Sequence, residues 1–335
     1  MVLIKSLSEF KHFSSVNLRK NIDNDTSRPM LKAQMIESNL SHGLSIIPGF
    51  HEWYKLEDSG YWYACYDDHE NVIVSNKLSD RIFSVYSLMK VESFDYIMNK
   101  WIRDTLGLDK CWLPIEYLRC IANSNSWKER GIGIKCSGLY SVDENPSRIS
   151  VKAWYGDNEV IKDSFDKLAD QFSVNSLKFK DNRCSMISEW YTQGKVTFNS
   201  SEDVDAAIES VNQMVTKYER ALKEAEKIVR SEKCSFEFNF KQKLDLESYS
   251  KAVSVGKGDL KLWMTETESY PYFRRFRGVD MHTWDRVFLD MGQDFAYLTI
   301  PGEGCVNAAP RMVTVHGEAA SGKTKVYLDG VEVFV

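Results

Sequence analysis

The stretch ETESYPYFRRFRGVDMHTWDR, residues 266–286, has the densest set of side chains that could do chemistry. Guanidinium groups suit phosphates and carboxylates, and aromatic rings can stack on nucleic-acid bases. We therefore expect a binding protein whose partner is anionic, either a nucleic acid or an acidic protein. The alternative is a surface segment whose charges pair with one another. The predicted ligand-binding residues are Arg274, Arg275, Arg277, Trp284 and Arg286.

The same stretch also offers oxygen and nitrogen ligands for a metal. Asp280 and His282 are one residue apart, and further carboxylates lie on both sides. Such ligands could hold a divalent metal for assisted hydrolysis, although no spacing here is diagnostic. We predict no cofactor and keep a divalent metal as the alternative. The candidate metal ligands are Glu266, Glu268, Asp280, His282 and Asp285.

A second candidate for catalysis is Cys305, in the small-residue stretch PGEGCVNAAP. A nucleophilic cysteine needs a base and hydrogen-bond donors for the developing oxyanion. His282 or His316 could be the base, and Asn307 could orient the base or donate a hydrogen bond. A Cys-dependent hydrolase in the C-terminal region is therefore an alternative to a binding protein. The plainer interpretation is a structural thiol, so whether the chain is an enzyme stays open.

Residues Gly317–Thr324, GEAASGKT, match the phosphate-loop pattern G-x-x-x-x-G-K-[ST]. A phosphate loop follows a strand and opens a helix, whose amides bind the phosphates. A strand is predicted at Met312–Val315, but the alternating residues after Thr324 favour a β-hairpin rather than a helix. We therefore predict a loop between two strands and do not expect it to bind a nucleotide.

The composition limits the remaining classes of protein. Hydrophobic residues make up 43% and charged residues 27%, which is typical of a globular chain. The net charge of −5 provides no overall basic field for nucleic acid or anionic lipid. No run of eighteen apolar residues predicts a membrane helix, and the apolar start is too short for a signal peptide. With seven scattered cysteines and no C-x-x-C motif, we expect a cytoplasmic protein with reduced thiols and no membrane partner.

The periodicity of apolar residues predicts an α+β fold with mainly antiparallel sheets. Helical spacing marks residues 158–172 and 202–233, and short alternating runs lie between them. This order predicts a central β-α-β-β-β-α unit, followed by a β-rich C-terminal region. The residues after Thr324 predict a hairpin with Asp329-Gly330 at its tip, because both turn positions need positive φ. The predicted regions are 1–145 (α/β), 146–233 (central unit) and 234–335 (β-rich).

Overall fold

The computed structural model of the chain contains helices, strands and two large antiparallel sheets. It describes residues 4–20, 30–40, 44–67, 71–136, 149–169, 172–184, 186–200, 203–241, 243–256, 258–320 and 324–335. These residues form seven α-helices and eighteen strands. None of the helices in these ranges is both long and apolar enough to cross a membrane. The α+β class with mainly antiparallel sheets is confirmed.

Contacts divide the chain into two compact units. The first contains α1 (Leu7–Lys20), β1 (Leu31–Ser38), β2 (Tyr54–Lys55), β3 (Trp62–Tyr66), β4 (Val72–Lys77), β5 (Ile82–Ser87), α2 (Val91–Asp104), β6 (Leu108–Lys110), β10 (Ile187–Tyr191) and β11 (Lys195–Ser200). The second contains β8 (Ile149–Trp154), α4 (Glu159–Ala169), β12 (Phe236–Phe240), α6 (Leu246–Ser254), β13 (Leu262–Tyr270), β14 (Phe273–Asp280), β15 (Arg286–Gly292), β16 (Phe295–Thr299), α7 (Ala308–Ala320), β17 (Thr324–Leu328) and β18 (Val331–Glu332). The residues of four elements are divided between the units: α3 (Ile115–Ser124), β7 (Trp127–Cys136), β9 (Val174–Asp181) and α5 (Val204–Glu232).

The central β-α-β-β-β-α order is confirmed, because β8, α4, β9, β10, β11 and α5 follow one another in the chain. The predicted division into regions 1–145, 146–233 and 234–335 stays a prediction.

The first unit is built on strand β1, which is buried along its whole length. The antiparallel order is β2-β3-β4-β5-β1-β11-β10, and β6 also pairs with β1. Helix α2 buries Phe94, Met98, Trp101 and Ile102, which share one side of the helix because their spacing follows its turns. These side chains belong to the same apolar core as Ile36 of β1. Strands β3 and β4 pair antiparallel as neighbours in the chain, and residues 68–70 between them lie outside the described residues.

Gly194 lies where the backbone has no room for a side chain. Its φ is +69°, and a Cβ atom there would meet the Cys111 carbonyl oxygen at 2.3 Å. Its own carbonyl accepts a hydrogen bond from the Met35 amide at 2.8 Å, so the backbone cannot move away freely. The turn before β11 therefore depends on glycine.

We expect Gly194→Ala to lower the free energy of unfolding by about 2–3 kcal/mol, since the left-handed conformation alone costs about 1–3 kcal/mol for other residues. Urea unfolding monitored by circular dichroism measures the change. The control is Gly60→Ala in the same unit, where an added Cβ atom would have no neighbour within 4 Å and the φ is not positive. An equal effect of the two substitutions would contradict the steric account.

The second unit is built on a sheet of order β13-β14-β15-β16-β12-β17-β18, antiparallel throughout. One face is apolar and packs against helices α6 and α7. Tyr249 of α6 contacts the ring of Phe276 edge to face, with ring centroids 6.2 Å apart. His316 of α7 contacts Tyr249 and Phe240 in the same way, at 5.1 and 5.0 Å. These contacts leave the opposite face of the sheet to carry the polar and aromatic side chains.

The C-terminal hairpin is confirmed as β17 and β18, with Asp329 at φ +50° and Gly330 at φ +73° in the turn. The strand predicted at Met312–Val315 is wrong, because these residues lie inside helix α7. The helix is buried on nearly all sides, and a short apolar run that is buried all round does not distinguish a strand from a helix. Pro310, in the first turn of α7, is the sequence signal for the start of this helix.

Candidate functional site

Two of the predicted arginines on β14 are held by acidic neighbours. Arg275 lies between Glu268 and Asp290 in register across three strands. Its guanidinium donates to Glu268 Oε1 at 2.7 Å and to Asp290 Oδ1 at 2.9 Å. These hydrogen bonds, to Asp290 and then Glu268, raise the pKa of Arg275 further above its usual value. Arg275 therefore already has carboxylate partners on both sides.

Arg274 points to the other face of β14, where it is also engaged. Its Nε atom lies 3.5 Å from Glu266 Oε2, and its guanidinium donates to the Tyr270 carbonyl. Glu266 in turn accepts a hydrogen bond from the Ser250 hydroxyl at 2.6 Å. These contacts connect the β13–β14 hairpin to helix α6.

Arg277 and Arg286 have a different environment. Both are exposed, and neither forms an ion pair with any residue that the structure describes. Arg277 is opposite Phe288 and Arg286 is opposite Val279, so the two arginines are diagonal neighbours on one face of the sheet. The Arg277 guanidinium lies 5.9 Å from the centre of the Phe288 ring. These two cations are available to a ligand.

Two exposed tryptophans lie beside these arginines. Trp263 of β13 shares the cross-strand row of Val279 and Arg286, and it is 52% exposed. Trp284 is 47% exposed, and its ring meets the Trp263 ring edge to face at 6.1 Å. We call Trp263, Arg277, Trp284 and Arg286 the outer-face cluster.

The turn between β14 and β15 sends one side chain outward and another inward. Trp284 has φ +62°, and its amide donates to the Asp280 carbonyl at 2.7 Å. The Asp280 amide donates to the Asp285 carbonyl at 2.9 Å, which closes the turn. His282, in the same turn, is only 1% exposed. The turn therefore joins the outer-face cluster to a buried polar group.

Asp280 is the centre of that buried group. Its side chain is 1% exposed and lies 2.7 Å from the guanidinium of Arg311, which is fully buried. The same Oδ1 atom accepts a hydrogen bond from the His282 amide at 2.9 Å. One carboxylate oxygen thus connects the β14–β15 turn to the first turns of helix α7.

Cys305 lies close to His282 within this unit. A ring nitrogen of His282 and the Cys305 sulfur lie within 4.8 Å of each other, and Cys305 is 6% exposed. Cys305 lies in the loop between β16 and α7, directly after Gly304. A Cβ atom on Gly304 would meet Ile300 Cγ2 at 2.6 Å, so glycine lets this loop run close to the end of β16. The structure therefore brings the two catalytic candidates together.

His316, the other candidate base, is a core residue. Its Nε2 atom lies 3.0 Å from the Tyr249 hydroxyl, and two aromatic rings contact its imidazole. Burial lowers the pKa of His316 to about 3, so the imidazole is neutral at physiological pH. His316 therefore packs in the apolar core, and its position does not suit the role of a catalytic base.

The metal candidates are distributed among different partners. Glu268 pairs with Arg275 and Asp280 with Arg311, while Glu266 is shared between Arg274 and Ser250. Glu266, Glu268, Asp280, His282 and Asp285 do not by themselves place three ligand atoms around one point in the described ranges. A divalent metal stays a prediction from the sequence.

The GEAASGKT stretch does not lie between two strands, so that prediction is wrong. Gly317–Ala320 end helix α7, residues 321–323 lie outside the described residues, and Thr324 begins β17. The order is helix first and strand second, whereas a phosphate loop needs a strand first and a helix second. The pattern match therefore lacks the structural context on which phosphate binding depends.

Trp263 and Arg311 were not among the sequence candidates. Trp263 alternates with the buried Leu262 and Met264, and that alternation indicates an outward tryptophan on a strand. Arg311 is a charge within a run of small and apolar residues after Pro310, and such a charge needs a buried partner. No sequence signal identifies that partner as Asp280, because the two lie 31 positions apart.

Comparison with known proteins adds a family to this description. No curated protein matches the chain. The family model described as MJECL33-like protein matches residues 3–320, and the chain therefore belongs to the MJECL33-like protein family.

Proposed function

We propose that the chain is a cytoplasmic binding protein that takes single-stranded nucleic acid on the outer face of its second sheet. The observation that carries the proposal is the outer-face cluster, in which two exposed arginines without ion pairs in the described part of the chain lie beside two exposed tryptophans. Free guanidinium groups suit phosphate oxygens, and exposed aromatic rings provide stacking surfaces.

The charge distribution supports a local site rather than a general attraction. The chain carries a net charge of −5, and Arg275 is neutralised by Glu268 and Asp290. Only Arg277 and Arg286 of the predicted arginines are exposed without an acidic partner in the described part of the chain. Binding should therefore depend on few phosphate contacts and on base stacking, which contributes about 1–3 kcal/mol per base.

Stacking also favours nucleic acid over an acidic protein. A carboxylate-bearing peptide would use the two arginines but would have no planar group for Trp263 and Trp284. Six cysteines form no disulfide, which supports the cytoplasmic part of the proposal: Cys65, Cys111, Cys120, Cys184, Cys234 and Cys305.

We expect Arg277→Ala and Arg286→Ala each to weaken binding of an oligonucleotide of about 20 bases by roughly fivefold, the effect of about 1 kcal/mol. Each substitution should also reduce the slope of log K against log salt by about 0.7, because one phosphate contact is lost. Fluorescence anisotropy with labelled single-stranded DNA and RNA at low salt measures both quantities.

The matched control is Arg220→Ala on helix α5, which changes the net charge equally but removes an exposed arginine paired with Glu224. Arg220→Ala should leave the affinity and the salt slope within error. Equal losses for Arg220→Ala and Arg277→Ala would mean that net charge, not the outer-face cluster, controls binding. Competition by poly-glutamate but not by oligonucleotide would replace nucleic acid with an acidic protein as the partner.

A further inference from the structure

We infer that Cys305 and His282 form a thiol–imidazole pair that attacks small carboxylic esters, with His282 as the base. The sulfur and a ring nitrogen lie within 4.8 Å of each other, and both residues are nearly buried in the same unit. A nucleophilic cysteine is activated by a nearby imidazole that takes its proton. This inference is independent of nucleic-acid binding, because it uses none of the outer-face cluster.

The pair is held by an ion pair that connects its two supporting segments. Asp280 fixes the turn carrying His282 through the His282 amide, at 2.9 Å. The same oxygen meets Arg311, four residues into the helix that follows Cys305, at 2.7 Å. Asp280 and Arg311 are therefore positioning residues, since they bring the turn and the loop together without touching the thiol chemistry.

A second observation indicates that the buried group can receive a ligand. The Oδ2 atom of Asp280 is buried and has no hydrogen-bond partner among the described residues. Unsatisfied buried acceptors are rare, because each lost hydrogen bond costs free energy. Asn307 is fully buried two residues after Cys305, at the start of helix α7. The N-terminal end of a helix favours negative charge, such as a thiolate or an oxyanion.

The chemistry balances without any further reagent. His282 takes the thiol proton while the Cys305 sulfur bonds to the acyl carbon, and the bond to the leaving alkoxide or phenoxide breaks. The imidazolium then returns the proton to the leaving group. A water molecule, deprotonated by His282, attacks the thioester and releases the carboxylic acid and the thiol. The net reaction is hydrolysis of one ester to one acid and one alcohol or phenol.

Burial limits the size of the acyl group. Only 6% of Cys305 is exposed, so a peptide or a long fatty chain would meet more steric obstruction at the sulfur than a short acyl group would. The chemical class is therefore a small ester, for which p-nitrophenyl acetate is a suitable probe.

The test is stopped-flow hydrolysis of p-nitrophenyl acetate by the full chain, with mass spectrometry of the acylated protein. We expect a burst of about one p-nitrophenolate per chain and acetyl on Cys305. Cys305→Ser should abolish the burst, and His282→Asn should slow it by about 100-fold. Cys234→Ser is the matched control in the same unit: burial raises the pKa of the Cys234 thiol, and its removal should leave the burst unchanged.

Unfolding of a variant is separated from loss of chemistry by circular dichroism and urea unfolding, which Cys305→Ser and His282→Asn should leave unchanged. Absence of a burst in the wild-type chain, or acetyl on another cysteine, would overturn the inference. Hydrolysis of p-nitrophenyl phosphate without hydrolysis of the acetate would overturn the acyl class.

Discussion

Replacing Asp280 with asparagine should lower the free energy of unfolding by about 3–5 kcal/mol, because it removes the charge of a buried carboxylate that lies against the buried Arg311 guanidinium. The two side chains are 1% and 0% exposed and lie 2.7 Å apart. Asparagine can still accept the hydrogen bond from the His282 amide, so the substitution mainly removes the charge. Urea unfolding of the wild-type chain and the variant measures the difference.

A double-mutant cycle separates the ion pair from the effect of either residue alone. Arg311→Met should also cost about 3–5 kcal/mol, and the double variant should cost clearly less than the sum. The control is Glu247→Gln on α6, whose pair with Lys251 is 73% and 74% exposed and should contribute little, because solvent screens exposed ion pairs. If the double variant instead lost as much stability as the two single variants added together, Asp280 and Arg311 would not act as a pair.

The unfolding free energy should also fall in mild acid because of His316. Burial lowers its pKa to about 3, whereas the unfolded chain has the ordinary value of about 6.5. Between these values the unfolded chain binds a proton that the folded chain does not. The contribution of the neutral His316 to the free energy of unfolding is therefore fully present above about pH 6.5, and it is lost progressively as the pH falls towards 3.

His316→Gln removes the titrating group and keeps a side chain that can hydrogen bond to Tyr249. When the pH falls from about 7.5 to about 4.5, the free energy of unfolding should fall by about 3 kcal/mol more in the wild-type chain than in the variant. This figure follows because pH 4.5 lies roughly two pH units below the pKa of the unfolded histidine, and each unit corresponds to about 1.4 kcal/mol. Urea unfolding of both proteins at each pH measures this difference, and the other ionisable groups cancel because they are shared. Parallel losses in the two proteins would mean that His316 is protonated in the folded chain.

Much of the fold could be predicted from local patterns. The hairpins and α2 follow periodicities of two and 3.6, and Asp329-Gly330 has the positive φ values that its turn requires. Helix α7 could not be predicted in this way. Met312, Val313, Thr314 and Val315 form a short, mostly apolar run that is largely buried, and the periodicity of such a run does not distinguish a buried strand from a buried helix.

The candidate site could be predicted only in part, because its partners are distant in sequence. The composition of residues 266–286 indicated arginines and aromatics, but it could not separate Arg275, paired on both sides, from the exposed Arg277. That difference depends on Asp290 across the β14–β15 register. The meeting of His282 with Cys305 likewise depends on the chain returning through β15 and β16, which no spacing encodes.

The most direct test of nucleic-acid binding is photo-crosslinking of a single-stranded oligonucleotide that carries 5-iodouracil, followed by peptide mapping. Stacked aromatic rings are the contacts such a probe would report, so crosslinks should map to Trp263 and Trp284 and should weaken in Arg277→Ala. Crosslinks confined to other residues, with none at either tryptophan, would contradict the proposal that the outer-face cluster binds the strand.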